Sequence, residues 1–198
     1  MTNKSTRDHI VEAADMLFYQ QGFEHTSFAD IADAVQISRG NFYYHFKTKD
    51  DILDAVINQR LANTKSMLQQ WELEGETPAE RIRSFINILI MNRSKIKAHG
   101  CPLGTLTSEL AKLNHSAQGD ASKLFSLFRT WLRKQFTLLG RKSEADALAL
   151  HVLAFSQGVA TLANAFHDEK FMRREVKQME AWLESVIAAS GSNKNKQT

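Results

Sequence analysis

Apolar residues recur at helical spacing along most of the chain, and they first predict a helix at about 5–21. They fall on one face of that helix: Ile10, Ala14, Leu17 and Phe18. Gly22 follows, and glycine is the residue most often found just past the C-terminal end of a helix. The first element is therefore an amphipathic helix that ends at a glycine.

Two short helices with a tight break between them are predicted next. Ser27 can cap the first of them, and Asp30, three residues later, completes the pattern of a capping box. The apolar face of this helix consists of Phe28, Ile31, Ala32 and Val35. Ser38 is a second N-cap, and the helix that it starts runs to about Phe46. Two short helices joined by a tight turn predict helix-turn-helix architecture.

Six longer helices are predicted in the rest of the chain. Thr77, Pro78 and Glu80 form a strong start signal, because they suit the N-cap, N1 and N3 positions. The predicted ranges are about 50–73, 78–98, 102–114, 120–139, 145–166 and 168–189. With the first three they make nine helices, so we predict an all-α fold. The polar residues 191–198 are predicted to form a disordered tail.

The composition supports a globular protein of the cytoplasm. Hydrophobic residues make up 43% of the 198 positions, which is enough for a core. The single cysteine, Cys101, excludes an internal disulfide and suits a reducing compartment. No apolar secretory segment is recognised near residue 1. The apolar range 145–166 contains Asp146 and Asn164, which are costly in hydrocarbon, so we predict a buried helix and no membrane partner.

Positive charge is local rather than general. The net charge of the whole chain is +3, but residues 1–50 contain five Lys or Arg and seven Asp or Glu. The range 36–49, in contrast, contains three cations and no acid. Such a distribution suits phosphate contact on one face only, and it points to the third predicted helix.

The third predicted helix has two different faces. Phe42 and Phe46 lie one turn apart on the side that can pack on Ile31, Val35 and Leu17. The opposite side is small, aromatic and able to hydrogen-bond. We predict the following DNA contacts: Thr26, Ser27, Arg39, Gly40, Asn41, Tyr43, Tyr44, His45 and Lys49. The alternative is a helical hairpin with ordinary surface aromatics.

Each of these residue types suits a particular contact with DNA. Arg39 is long enough to bind a guanine edge with two hydrogen bonds, and Asn41 suits a base or a phosphate. Gly40 inside a helix costs about 1 kcal/mol relative to Ala, which is reasonable if another backbone approaches closely. Lys49 precedes a helix N-terminus, where its charge and the helix dipole together favour an anion.

The segment 38–50, SRGNFYYHFKTKD, resembles the recognition helix of the TetR family, and FADIADAV at 28–35 resembles the helix before it. The resemblance covers about residues 6–55. It implies a DNA-binding domain at 1–52, an effector-binding and dimerisation domain at 53–190, and a homodimer on a palindromic double-stranded DNA operator. One residue departs from the family pattern, because Gln36 stands in the turn where the family usually has glycine.

The last two predicted helices are the expected dimer interface, since in the family they usually form a four-helix bundle between subunits. The residues that suit this role are Trp182, Leu183, Val186 and Ile187. The alternative is that both helices pack entirely within one subunit.

The candidate ligand-binding residues are Cys101, Phe128, Trp131 and Phe155. Cys101 belongs to a Gly-Cys element that resembles one near the ligand pocket of some family members. A thiol at a helix N-terminus, with Lys97 and His99 nearby, also suits a sensor of oxidants or electrophiles. The alternatives are an inert buried cysteine and aromatic residues that belong only to the core.

The sequence thus predicts a ligand-responsive repressor, with an activator or a Cys101-based redox regulator as alternatives. An enzyme is not expected, because the sequence has no phosphate-binding glycine loop and no nucleophile elbow. The seven histidines include no pair at i, i+4, so neither a metal nor another cofactor is predicted.

Overall fold

The computed structural model describes residues 4–194, and its regular structure in that range is entirely helical. The all-α prediction is confirmed. The helices are α1 (Thr6–Gln21), α2 (Phe28–Val35), α3 (Arg39–His45), α4 (Lys49–Glu74), α5 (Pro78–Met91), α6 (Arg93–His99), α7 (Pro102–Lys112), α8 (Gln118–Leu138), α9 (Ala145–Phe166) and α10 (Glu169–Lys194).

The helices begin where the predicted capping residues stand. At α2, the Asp30 amide donates to Ser27 Oγ over 3.2 Å, and the Ser27 amide donates to Asp30 Oδ2 over 2.8 Å. Thr77 and Glu80 form the same reciprocal pair at α5, with Pro78 as the first helical residue. These bonds satisfy amides that a helix N-terminus would otherwise leave unpaired.

The predicted helix at 78–98 is divided at Asn92, so the described chain has ten helices rather than nine. The Asn92 side chain donates to the Ile88 carbonyl over 2.9 Å, and the Asn92 amide donates to the same oxygen over 3.1 Å. An asparagine side chain that bonds the preceding turn competes with the regular helical pattern. The break therefore follows from one residue inside an otherwise helical pattern.

The described residues form two compact units. The first extends to Asn63 and includes Pro102–Leu124, and the second comprises Thr64–Cys101 and the residues from Phe125 on. The core of the first unit combines α1, α2, α3, the first part of α4, and α7. Its most deeply buried residues are Ile10, Ala14, Ile31, Phe42, Ile52, Leu53, Val56 and Leu110. The domain boundary predicted at 52 stays a prediction about function. The first compact unit extends beyond it to Asn63 and includes α7, which packs against α1.

The second unit is built on α10, which packs against α5 and α9. Its core contains Ile82, Ile86, Leu132, Phe136, Val152, Met172 and Leu183. Polar contacts join the same elements, since Asn87 of α5 donates to Glu180 of α10 over 2.9 Å. The last helices therefore bury one face within their own unit.

Two further predictions concern the C-terminal part of the chain. Helix α10 includes residues 191–194 of the predicted tail, and 195–198 lie outside the described residues. Within the described range, α9 is the helix that is long and apolar enough to cross a membrane by length and composition. The core helices of soluble proteins pass the same test, and α9 buries Ala149, Val152 and Ala160 in the second unit.

Candidate nucleic-acid interface

The turn between α2 and α3 has a left-handed residue at its centre. Gln36 has φ 57° and ψ 43°, and its amide donates to the carbonyl oxygens of Ala32 and Asp33. Ser38 then caps α3, because its Oγ accepts from the Asn41 amide over 3.3 Å. The backbone thus takes the conformation that a glycine would adopt more cheaply, and the two short helices are arranged as predicted.

The outer face of α3 presents polar and aromatic groups to solvent. Tyr44 is 78% exposed and Tyr43 is 47% exposed. Arg39, Gly40 and Asn41 are also exposed. The first turn of α3 contains no acidic residue. This face can therefore approach a polyanion without repulsion from its own carboxylates.

The inner face of α3 fixes the orientation of the outer one. Phe42 is buried, and its ring contacts that of Phe28 edge-on at 5.2 Å. Phe28 also contacts the Tyr43 ring at 5.6 Å, which holds one side of this tyrosine against α2. Tyr44 and the half-buried His45 form a further edge-on pair at 5.2 Å. The Phe28 ring therefore holds Phe42 and one side of Tyr43 against α2.

Gly40 has no conformational reason to be glycine. A Cβ built there meets no heavy atom within 4 Å, and its φ lies outside the left-handed region. A residue with a side chain would fit the free protein and favour the helix. The free space lies on the exposed face, as expected if a partner comes close at this point.

Two of the predicted contact residues, Thr26 and Lys49, have internal partners in addition to Ser27, whose hydroxyl donates to Asp30 Oδ2 over 2.7 Å. Thr26 is only 1% exposed, and its hydroxyl donates to the Gly22 carbonyl over 2.7 Å. Lys49 Nζ donates to the Phe23 carbonyl over 2.9 Å and lies 4.3 Å from the centre of the Phe23 ring. Both side chains therefore stabilise the turn between α1 and α2.

The N-terminus of α4 already holds a carboxylate from the chain itself. Asp51 Oδ2 accepts from the amides of Thr48 and Lys47 over 2.9 and 3.2 Å. The Thr48 amide and hydroxyl lower the pKa of the Asp51 carboxyl. Because Asp50 and Asp51 place two carboxylates in the first turn of α4, the predicted attraction of an external anion to this helix end is reduced.

Sequence reasoning missed Glu109 of α7 in this region. Its carboxylate accepts from the amides of Phe23 and Glu24 over 3.0 and 2.9 Å. The contact joins residues 86 positions apart in the sequence, and no local pattern marks it. The exposed face of α3 was predictable from helical periodicity, but this support could be found only in three dimensions.

The candidate ligand-binding residues are distributed over the second unit. Phe128 and Trp131 of α8 are buried, and they contact Phe85 at 5.2 Å and Trp71 at 5.7 Å. Phe155 and Cys101 are half-buried. The structure assembles an aromatic core around α8, and a ligand-binding role for these four residues stays a prediction.

Two of the residues expected at a dimer interface are instead buried within the second unit. Leu183 is fully buried and Val186 nearly so. Trp182 contacts the rings of Phe136 and His151 at 6.3 and 4.7 Å.

Among the described residues, no group of three or more His, Cys, Asp or Glu side chains is arranged to hold a metal ion.

Two family models match the chain. Residues 10–56 match the model of bacterial regulatory proteins, tetR family, and residues 78–178, half of the chain, match the LmrA/YxaF-like transcriptional regulator C-terminal domain. The first match contains α2, the left-handed turn and α3.

Several relatives and solved structures are similar over most of the chain. An uncharacterised HTH-type transcriptional regulator of Lactococcus lactis subsp. lactis is 25% identical, over 92% of this chain and 95% of its own. The HTH-type transcriptional regulator TtgR of Pseudomonas putida is 26% identical over 79% of each chain. A TetR transcriptional regulator from Legionella pneumophila superposes with a TM-score of 0.81 at 26% identity, covering 93% of this chain and 98% of the other.

Proposed function

The chain belongs to the TetR family of DNA-binding transcriptional regulators, and we propose that it is a ligand-responsive repressor that binds a palindromic operator as a homodimer. The observation that carries the proposal is the outer face of α3, which is exposed, free of acidic residues in its first turn and joined to α2 by aromatic contacts. It lies in the segment that matches the DNA-binding family model.

Specific roles follow from the chemistry of this face. Arg39 reads a guanine through two hydrogen bonds, and Asn41 binds a base or a phosphate. Tyr43, Tyr44 and His45 bind phosphate oxygens and set the register of the helix in the major groove. Gly40 admits the DNA backbone, and Ser27 fixes the start of α2 through its bonds to Asp30. Thr26 and Lys49 support the interface from inside.

The homodimer is supported by the surface of α9. One face of this helix is exposed although it consists largely of small and apolar residues: Ala147, Leu150, Ala154, Gly158, Leu162 and Ala165. These positions recur every three or four residues and form a continuous stripe along the helix. A two-fold symmetric pair of subunits that meet along this stripe requires two equivalent half-sites, so the operator is a palindrome.

Repression and ligand response rest on the family and on named relatives. The HTH-type transcriptional repressor DhaR of Mycobacterium sp. (strain GP1) is 22% identical over 67% of this chain and 65% of its own. Regulators of this family typically bind small effectors and are normally cytoplasmic. We propose that this chain does the same, has no catalytic role, and binds its effector near Phe128 and Trp131.

The DNA-binding part is tested with duplex DNA from upstream of the protein's own gene. Arg39→Ala and Tyr44→Ala should each weaken binding by about 1–3 kcal/mol, and wild-type affinity should fall steeply with salt. Arg133→Ala is the matched control, because it removes an exposed arginine from α8. Unchanged binding by both α3 variants would show that α3 does not read the DNA.

The ligand-responsive part needs a separate experiment. Small molecules that bind the folded protein raise its melting temperature by mass action. A compound found in this way should lower the affinity for the same duplex. Phe128→Ala lies in the buried core and would itself destabilise the chain, so Phe155→Ala, at a half-buried position, is the better variant for locating the site. A compound that raises the melting temperature and leaves DNA binding unchanged would contradict the proposed response.

A further inference from the structure

The turn between α1 and α2 is held by hydrogen bonds to its backbone from two other helices. Glu109 of α7 accepts from the adjacent amides of Phe23 and Glu24, one with each carboxylate oxygen, over 3.0 and 2.9 Å. Lys49 of α4 donates to the carbonyl oxygens of the same two residues over 2.9 and 3.3 Å. Both the donors and the acceptors of this turn are thus bound by side chains of opposite charge.

Gly22 leaves the space that Glu109 occupies. A Cβ at this position would lie 2.9 Å from Glu109 Oε1, closer than real Cβ contacts allow. The φ of Gly22 is also +92°, a value that residues with a side chain rarely adopt. The glycine that ends α1 therefore also allows a carboxylate to reach the turn.

Ring and hydroxyl contacts add to this attachment. His115, which follows α7, contacts the Phe23 ring edge-on at 5.1 Å, and its Nε2 lies 3.4 Å from Asp50 Oδ1 at the start of α4. The Thr26 hydroxyl donates to the Gly22 carbonyl over 2.7 Å. Ser27, the N-cap of α2, is the next residue, so the position of the turn determines where α2 begins.

Helix α7 is attached to α1 at its other end as well. Arg60 of α4 is only 8% exposed, and it donates to Asp15 of α1 over 2.6 Å and to the carbonyl of Pro102 over 2.7 Å. If Arg60 lost either acceptor, part of a buried guanidinium would be left without a partner, which is energetically costly. The start of α7 and the middle of α1 are therefore held in a fixed relation through one buried arginine.

From these contacts we propose that Glu109 is a positioning residue for DNA binding. It lies outside the segment 10–56 that matches the DNA-binding family model, and it acts by fixing the turn that leads into α2. Without this carboxylate the amides of Phe23 and Glu24 would lose their acceptor, and the positions of α2 and α3 would be less fixed. The inference rests on the DNA-binding role proposed above, and it adds a residue of α7 to those on which operator affinity depends.

The test compares Glu109→Gln and Glu109→Ala with Glu24→Gln in the full-length chain. Glu24 lies in the same turn and its side chain is exposed. Glu24→Gln therefore removes one negative charge but leaves the Glu109 carboxylate in place as the acceptor. Loss of a negative charge alone raises affinity for DNA. If Glu109 positions the turn, its loss should instead lower the affinity for DNA, so the effect of charge and the effect of positioning can be distinguished.

Binding is measured to a duplex that the wild-type chain selects from a random-sequence pool, and to unselected DNA. Glu109→Gln should lower affinity for the selected duplex about tenfold, and Glu109→Ala should lower it further, because Gln keeps one acceptor oxygen and Ala keeps none. The affinity for unselected DNA reports the effect of the changed charge, and the urea midpoint of unfolding reports whether the variant is still folded. Hydrogen exchange at the Phe23 and Glu24 amides should accelerate in both variants.

The outcomes separate the two proposals. If the Glu109 variants bind the selected duplex as tightly as Glu24→Gln does, or if the two amides keep their protection, Glu109 does not position the turn. A parallel loss of affinity for selected and unselected DNA, with a lowered urea midpoint, would show a merely structural role and overturn the inference too. If the wild-type chain selects no sequence, the proposed operator binding itself is wrong, and the inference fails with it.

Discussion

Gly40 stands at the second position of α3 with open space around its Cα, on the face that is exposed. In Gly40→Ala we expect the free energy of unfolding to rise by about 0.5–1 kcal/mol, because alanine favours the helix. We expect operator affinity to fall about tenfold, since the methyl group occupies the space into which DNA must come. Urea unfolding and DNA titration of the same preparation measure the two opposite effects.

Gly119→Ala is the matched control for this substitution. Gly119 is exposed, lies in the first turn of α8 and has equally open space around it. The control should be stabilised to a similar extent and should bind DNA as the wild type does. Equal DNA affinities of both variants would mean that no partner approaches Gly40.

Gln36 has a strained backbone, because it adopts the left-handed conformation although it carries a side chain. A left-handed conformation costs an L-residue about 1–2 kcal/mol, and a glycine at this position would avoid that cost. Part of this advantage is offset because a glycine also makes the unfolded chain more flexible. Gln36→Gly should therefore be slightly more stable than the wild type. Gln36→Val should be destabilised by about 1–2 kcal/mol, since a branched Cβ fits this region poorly. Equal urea midpoints for Gly and Val would contradict the observed turn.

At the scale of elements, the capping box of α2 links the stability of the DNA-binding helices to pH. The Ser27 hydroxyl, followed by the Ser27 amide, lowers the pKa of the Asp30 carboxyl in the folded chain. The unfolded chain then binds the proton more readily, so this stability is present above the ordinary Asp pKa of about 4 and is lost as pH falls through the lower folded value.

Asp30→Asn should remove this loss of stability at low pH. At pH 7 the variant should unfold at lower urea than the wild type, and the difference should shrink as pH falls below about 4. Asp33→Asn, on an exposed position of the same helix but outside the cap, serves as the control. Parallel curves of urea midpoint against pH for the wild type and Asp30→Asn would show that the cap contributes no pH dependence.

Local signals predicted the elements well, because each depends on residues close in the sequence. Ser27 with Asp30, and Thr77 with Pro78 and Glu80, placed two helix starts correctly. The break at Asn92 was missed, since an asparagine in an apolar helical pattern is compatible with both a continuous and a broken helix.

The candidate interface divides in the same way. Periodicity placed Phe42 inside and Tyr44 outside, as the structure has them. It did not reveal that Lys49 and Thr26 are bound to the α1–α2 turn, or that Glu109 reaches this turn from α7. A cation beside a helix N-terminus suits an external anion and an internal carbonyl equally well, and only the folded chain distinguishes them.

At the scale of the whole molecule, the apolar stripe on α9 has a direct consequence for assembly. Leu150 and Leu162 are each 43% exposed, although neighbouring positions of α9 such as Val152 and Ala160 are buried in the second unit. Exposed apolar residues that form one continuous face of a helix indicate an interface with another chain. The proposed homodimer places a second copy of α9 on this stripe.

Leu150→Glu should therefore convert the dimer to a monomer in sedimentation velocity, because the proposed interface would have to bury an unpaired carboxylate from each subunit. The monomer should keep its helical circular dichroism, since Leu150 is not part of the core. Its operator affinity should fall at least tenfold, as each subunit then binds one half-site without the gain from linkage. Leu138→Glu, at a 57% exposed position that ends α8, is the control and should remain dimeric. A Leu150→Glu protein that sediments like the wild type would exclude α9 as the interface, while leaving the assignment of α3 to DNA untouched.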